Sequence, residues 1–199
     1  MSELINLTQS LRVCYYGNPL LLRKSVPVTE ITPALREFAE KMIESMYRND
    51  GIGLAAPQVG ENIRLVTLAT SGPLEEISAD ASPGERLLAA RMPLVLINPE
   101  IVSSSSVVET EDEGCLSLPG ICGPVERSTS VVLKTALLTG ETITVECGNL
   151  LARCIQHEID HLDGVLFVDR MSESAYSEVA GELRQLKKAT RRQLKKERA

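Results

Sequence analysis

The chain has 199 residues, 43% of them hydrophobic and 24% charged, with a formal net charge of −6. That is one domain's length with enough apolar residues for a core, and no apolar run approaches the ~20 residues that span a bilayer. Residues 184–199 hold eight Lys or Arg and one Glu, a balance of +7, which leaves −13 for the first 183 and describes an acidic body with a basic tail.

Met1–Leu7 lacks the basic and apolar regions of a signal peptide and the arginine-rich character of a transit peptide, so a cytoplasmic protein is expected. The five cysteines, Cys14, Cys115, Cys122, Cys147 and Cys154, are scattered and include no CxxC pair. In a reducing compartment most should be free thiols.

Arg12–Tyr16 reads as a short strand that turns at Gly17-Asn18-Pro19. Thr32 as N-cap and Pro33 at the first helical position open a helix. Leu35, Phe38, Ala39, Met42 and Met46 recur along it at helical spacing as a core face, and Asp50-Gly51 ends it. Gly51–Gly60 is dominated by small residues and has no regular period. Such residues let another backbone approach closely, although an ordinary Gly/Pro loop has the same composition. Ile63–Leu68 reads as a strand. Ser71–Arg91, rich in Ser, Ala, Pro, Gly and acids, reads as a surface insertion with a weak helical signal over 85–91. Leu94–Ile97 is a short apolar strand, and Ile101-Val102 and Val107-Val108 flank a run of serines.

Glu113–Gly120 is a second irregular stretch containing glycine. Ser130–Leu138 and Glu141–Cys147 alternate apolar and polar residues and meet at Thr139-Gly140, as in an antiparallel hairpin. A helix follows over 149–163, with Asn149 as N-cap and Gly164 as the C′ residue. It carries the only two histidines of the chain, His157 and His161. They stand at i and i+4, hence on one face, with Glu158 directly after the first. Two imidazoles so placed can share one metal ion, and the glutamate can act as a base on water held there.

At about 100° per residue, Leu150, Cys154, His157 and His161 share one stripe. Leu151, Ile155, Ile159 and Leu162 form an apolar stripe beside it. Arg153, Gln156, Asp160 and Asp163 take the remaining side, the one expected to need water. Catalytic sites of the zinc type commonly use three protein ligands and keep one position open. Cys115 is the thiol chosen as third ligand. Cys154, one turn before His157, competes with it, although a small buried hydrophobe is its more ordinary role. Val165–Val168 reads as a last strand. Ser172–Arg198 reads as a helix with Tyr176, Val179, Leu183 and Leu186 on one side.

Three stretches now stand together: Gly51–Gln58 (GIGLAAPQ), Glu113–Ser117 (EGCLS) and Gln156–His161 (QHEIDH). In order and wording they resemble the three signature motifs of peptide deformylases, and the likeness runs from Gly17-Asn18-Pro19-Leu20 to Phe167. The helical C-terminus resembles the bacterial and organellar type. The resemblance implies an α+β fold, with antiparallel strands packed around a central metal-binding helix and a further helix at the C-terminus. Residues 1–171 would be the catalytic domain, with the insertion 71–91, and 172–199 the basic helix of the same domain. It implies one divalent ion on Cys115, His157 and His161: Fe2+ in the cell, with Zn2+, Ni2+ or Co2+ able to replace it. The implied reaction removes formate from N-formylmethionyl nascent chains.

On that resemblance Glu158 is the general base, and the Gln58 amide and the Leu116 N–H stabilise the developing oxyanion. Leu150, Cys154 and the aliphatic stem of Arg153 are candidates for the methionine slot. Ile52 and Gly53 can pair with the substrate backbone as an added strand. Glu113 and Arg127 resemble a family ion pair that braces the Cys115 loop. The basic tail suits the ribosome, a surface rich in RNA phosphate; neither a membrane nor sequence-specific nucleic acid is expected. Two other readings compete. An HExxH endopeptidase usually finds a third ligand after the motif, where no histidine follows His161. A non-catalytic metal or RNA module would have no use for an intact Glu158.

Overall fold

The computed structural model describes residues 11–70 and 81–197. Its helices are α1 (Pro33–Arg48), α2 (Pro83–Ala89), α3 (Asn149–Leu162) and α4 (Glu173–Glu197), and its strands β1 (Gly53–Ala55), β2 (Leu65–Leu68), β3 (Leu94–Ser104), β4 (Val108–Gly114), β5 (Cys122–Ser128), β6 (Ser130–Ala136) and β7 (Thr142–Gly148). Five strands form one antiparallel sheet in the order β1-β2-β3-β6-β7, and β4 pairs with β5 in a second, two-stranded sheet. The fold is therefore α+β and antiparallel, as expected.

The five-stranded sheet is covered on both faces. Leu35, Phe38, Met42 and Met46 of α1 pack with Leu54, Leu65, Val95 and Ile97. Leu151, Ile155, Ile159 and Leu162 of α3 pack with Val66, Leu68, Leu94 and Leu96. Alternate residues of β2 and β3 thus serve opposite cores, which is why both read as continuous apolar runs. A third cluster, including Leu118, Val125, Phe167 and Leu183, joins β5 to α4, with Val179 and Leu186 packed against it. Among the described residues no helix is long and apolar enough to cross a membrane.

Two of the local signals at the helix ends hold. Thr32 Oγ1 accepts the Leu35 N–H at 3.2 Å, and Gly164 takes φ +77° after α3, a left-handed C′ conformation that costs glycine little. The hairpin β6–β7 turns at Thr139-Gly140, as expected.

Four expectations change. Arg12–Tyr16 joins neither sheet; it is an extended strap whose Cys14 and Tyr16 N–H groups donate to Gln58 O (2.7 Å) and Ser117 O (2.8 Å). Val165–Val168 is no strand but leads into a single 3-10 turn, Phe167–Asp169, where the Asp169 carboxylate accepts the Leu166 N–H at 2.9 Å. Gly148, not Asn149, occupies the N-cap of α3; Asn149 is the first helical residue, with φ +52°. Finally, the helical signal at 85–91 belongs to α2, which packs inward: Leu88 is fully buried. The rest of the supposed insertion, 71–80, lies outside the described residues.

Candidate active site

The α3 helix runs through the middle of the molecule and presents its histidine stripe to a cleft. Cys115, in the turn after β4, faces it. Ligand atoms of Cys115, His157 and His161 all lie within 4.8 Å of one another, and Cys115 Sγ is 3.2 Å from His161 Nε2. Cys154 is not part of this group. Its thiol is buried beside the Ile52 carbonyl at 3.8 Å, and burial holds its pKa well above the ordinary value.

Glu113 organises the site from behind. Burial alone would raise its pKa, but hydrogen bonds from His157 and Arg127 outweigh that and bring it down to about 2. An ionised carboxylate only accepts, so the contact of 2.9 Å to His157 Nδ1 places a proton on that nitrogen and leaves Nε2 as the possible ligand. Burial disfavours a cationic His157, yet hydrogen bonding to Cys115 and Glu113 raises its pKa well above the usual value. Surroundings that favour a proton on this imidazole also favour a metal cation beside it, and the two compete. Burial, with His157 nearby, keeps His161 well below its ordinary pKa, in the neutral form that ligates. Phe167 stacks behind His157 at 6.3 Å between ring centroids.

The side of α3 expected to need water faces the β4–β5 sheet instead. Arg153 and Asp160 are buried, a state that requires partners. Arg127 grips Glu113 with two bonds (2.9 and 3.0 Å) and Asp160 with a third (2.5 Å). Arg153 donates to Glu113 Oε1 (3.0 Å), Val125 O (3.0 Å) and Glu109 O (2.9 Å), and pairs with Glu111 at 3.0 Å. Arg170 closes the chain of charges on Asp160 at 2.7 Å. Gln156 bonds both ways with the Ser128 backbone. Only Asp163, paired with Arg64 at 2.7 Å, is at the surface. The Glu113–Arg127 pair is the one implied by the family resemblance; the arms from Arg153 and His157 to the same carboxylate are not expected from it. Their i, i+4 spacing opposite an acid is the available signal.

Glu158 is buried, and burial pushes its carboxyl up to about 7. Its Oε2 has no hydrogen-bond partner among the described residues. Gly53 passes directly over it: a Cβ there would stand 2.3 Å from Glu158 Oε1 and 2.9 Å from Cys154 Sγ, so no side chain fits. The Gln58 amide is fixed at its oxygen by the Ala55 N–H (2.7 Å), and its nitrogen donates to Ser117 Oγ (3.2 Å) and towards Cys115 Sγ (3.4 Å).

A cavity of about 510 Å³ opens beside these groups. Ile52, Gly53, Leu150, Arg153 and Cys154 all line it, as do Gln58, Cys115, Leu116, His157 and Glu158. Every residue singled out for chemistry or substrate contact therefore meets at one cleft, except His161, which is buried beneath it.

A thiolate and two imidazoles suit a divalent transition-metal ion. The buried Glu158 Oε2, without a hydrogen-bond partner among the described residues, fits a site whose polar atoms await a ligand. The donor set, the carboxylate beside it and the cleft define a metal-dependent hydrolase. Residues 10–176 match the family model described as polypeptide deformylase. The chain is 47% identical over 155 residues to peptide deformylase 2 of Gloeobacter violaceus, covering 78% of this chain and 75% of that one. It is 37% identical over 183 residues to the peptide deformylase of Opitutus terrae, covering 92% and 95%. A plant peptide deformylase crystal structure superposes with a TM-score of 0.78 at 34% identity, over 92% of each chain. The chain belongs to the polypeptide deformylase family and is a hydrolase of peptide N-formyl groups.

Proposed function

We propose that this cleft takes the formyl group from N-formylmethionine at the head of newly made chains, with Glu158 moving the proton. The carrying observation is that one buried carboxylate, held at about 7 with a free oxygen, stands beside the Cys115–His157–His161 group and opens on a cavity. Cys115, His157 and His161 would hold a divalent ion, which would supply a Lewis acid able to lower the pKa of water from ~15.7 toward ~7. Fe2+ is the expected ion in the cell, with Zn2+, Ni2+ or Co2+ as replacements.

Glu158 removes the proton from the attacking water and returns it to the departing amine, a role worth ~10²–10⁴-fold. A carboxyl poised near neutrality can do both. Charge grows on the formyl oxygen, where the Gln58 amide and the Leu116 N–H are the donors, each worth about 10²–10³ in rate. The Ala55 bond to Gln58 Oε1 supports this role, because it fixes which end of the amide faces the cleft. Leu150, Cys154 and the Arg153 stem would form the methionine slot. Ile52 and Gly53 would pair with the peptide backbone from the edge of the sheet; the Ile52 carbonyl is already held by the Ala69 N–H at 2.8 Å.

We place the enzyme in the cytoplasm, at the ribosome. Arg184, Lys187, Lys188, Arg191, Arg192 and Lys195 line a groove of about 460 Å³ on α4, a cationic surface suited to RNA phosphate.

The test is formate release by anaerobically purified protein from formyl-Met and acetyl-Met peptides. Release from the first and none from the second is expected. Internal cleavage of an unformylated peptide at a comparable rate would replace this reading with an endopeptidase.

A further inference from the structure

The first turn of α3 lacks the side chain that usually caps a helix. Gly148 stands in the N-cap position, and Asn149 follows at φ +52°, a left-handed conformation that is uncommon outside glycine and that asparagine tolerates better than most residues. Its backbone is held from the β6 side, where the Asn149 N–H donates to Thr129 O at 3.2 Å, and its side chain is held from α2. Ser82 Oγ accepts the Gly148 N–H at 2.9 Å. Glu85 accepts the Asn149 side-chain amide at 3.3 and 3.0 Å on its two oxygens.

Ser82 and Glu85 are fixed by each other. The Ser82 N–H and hydroxyl donate to Glu85 Oε2 at 2.7 and 2.8 Å, and the Glu85 N–H donates to Ser82 Oγ at 3.3 Å. This reciprocal pair is a capping box for α2, and its remaining capacity serves α3, so two residues hold the starts of two helices. The short helix cannot slide. A Cβ on Gly84 would meet Cys147 Sγ at 2.5 Å and Glu146 O at 2.7 Å, and Leu88 is buried in one cluster with Leu151 and Ile155.

Leu150 comes directly after Asn149. It lines the cavity and is 47% exposed, so few neighbours of its own fix its direction. Neither Ser82 nor Glu85 lines the cavity. The far end of α3 is held separately, by Glu113 on His157 and Arg127 on Asp160.

We infer that Ser82 and Glu85 are positioning residues: by pinning the left-handed Asn149 they aim Leu150 at the cavity mouth, and so set discrimination for a long first side chain on the substrate. This rests on the reading of Leu150 as a wall of the methionine slot.

The experiment compares kcat and KM for formyl-Met and formyl-Ala peptides in the metal-loaded enzyme. Glu85→Ala should raise KM for formyl-Met by ~3–10-fold, within the range that apolar pocket contacts supply. It should leave kcat and the formyl-Ala KM nearly unchanged. Leu150→Ala should raise the formyl-Met KM to a similar extent, and the double variant should add little beyond either. Glu85→Gln keeps an acceptor and should restore discrimination. Asn149→Gly removes the contact from the other side while accepting the same φ, so it should reproduce the loss even if Glu85→Ala fails to fold. A lowered melting temperature with discrimination intact in Glu85→Ala and Asn149→Gly, while Leu150→Ala loses it, would overturn the inference alone. Intact discrimination in Leu150→Ala would overturn the pocket reading and this inference with it.

Discussion

Two parts of this molecule are dense in charge, and they use it in opposite ways. Around α3, Glu113, Arg127, Arg153 and Asp160 are all buried, and each has hydrogen-bonded partners at short range. Along the second half of α4, Arg184, Lys188, Arg191, Arg192, Lys195 and Lys196 are exposed. Taking a charge out of water is costly, so the buried set has one workable arrangement and fixes the geometry of whatever it touches. The exposed set retains its water and many conformations; it contributes a field rather than a geometry. Changes in the first region should therefore alter chemistry and stability sharply, and changes in the second should alter encounter only.

The largest effect is expected at Glu158, which sits inside the buried region but has a carboxylate oxygen without a partner. Glu158→Ala should lower kcat by at least ~10²–10⁴-fold while one metal ion per chain is retained. Metal analysis alongside formate release checks this. Loss of the ion together with activity would make Glu158 a ligand rather than the base.

Next is Glu113. Removing one member of a buried charge network typically costs about 3–5 kcal/mol, and removing the acceptor behind a ligating histidine typically costs about 10–100-fold in metal affinity. Glu113→Gln should show both, in thermal melts and in competition with a chelator. The pH dependence has a definite sign. The folded pKa of about 2 lies below the ordinary 4.5, so this carboxylate contributes stability at neutral pH. That contribution is lost as pH falls from the unfolded value through the folded one. The wild type should therefore lose stability over that acid window more steeply than Glu113→Gln. Parallel acid profiles would show that the pair contributes nothing to folding.

How much of this is legible in the sequence divides along the same line. The His157-Glu158 and His161 stretch can be read because metal chemistry demands particular residue types at fixed spacing, whereas Gly51–Gln58 and Glu113–Ser117 are read together with it only through their resemblance to the family's motifs. The α1 helix and the β6–β7 hairpin can be read because their apolar residues keep one period. The β4–β5 sheet cannot. Val108-Glu109-Thr110-Glu111-Asp112 is exposed along its length and carries no apolar period, and only Glu113 at its end is buried, against the charges of α3. Arg153 and Asp160 look exposed because a helical wheel sorts by polarity, and pairing with residues distant in the chain is invisible to it. The strap at Arg12–Tyr16 reads as a strand because its backbone is extended; that it bonds two site loops instead of a sheet depends on tertiary placement. Asn149 looks like an ordinary cap because the partner that holds it, Glu85, lies 64 residues earlier.

The smallest expected effect on catalysis is in the tail, and the structure decides where it should be cut. Apolar periodicity suggests that packing ends at Leu186. The backbone of Lys187 lies against Gly17, where a Cβ would meet Lys187 O at 2.9 Å. Its ammonium stands 5.6 Å from the Tyr16 ring centre, and Thr190 is buried. Truncation after Leu186 would remove these contacts and should lower the melting temperature, confusing anchorage with binding. Truncation after Thr190 keeps them and removes Arg191, Arg192, Lys195, Lys196 and Arg198. Turnover of short formyl peptides by that variant should stay within about twofold, because none of the described residues among them lines the catalytic cavity and exposed charges contribute little to stability. Ribosome binding should weaken, and its dependence on salt should flatten, since each phosphate that the shortened tail no longer neutralises takes roughly 0.7–0.9 from the log–log slope. Equal affinity and equal slope in the two proteins would mean that the exposed cations are simply solvated, and that the enzyme reaches nascent chains without them.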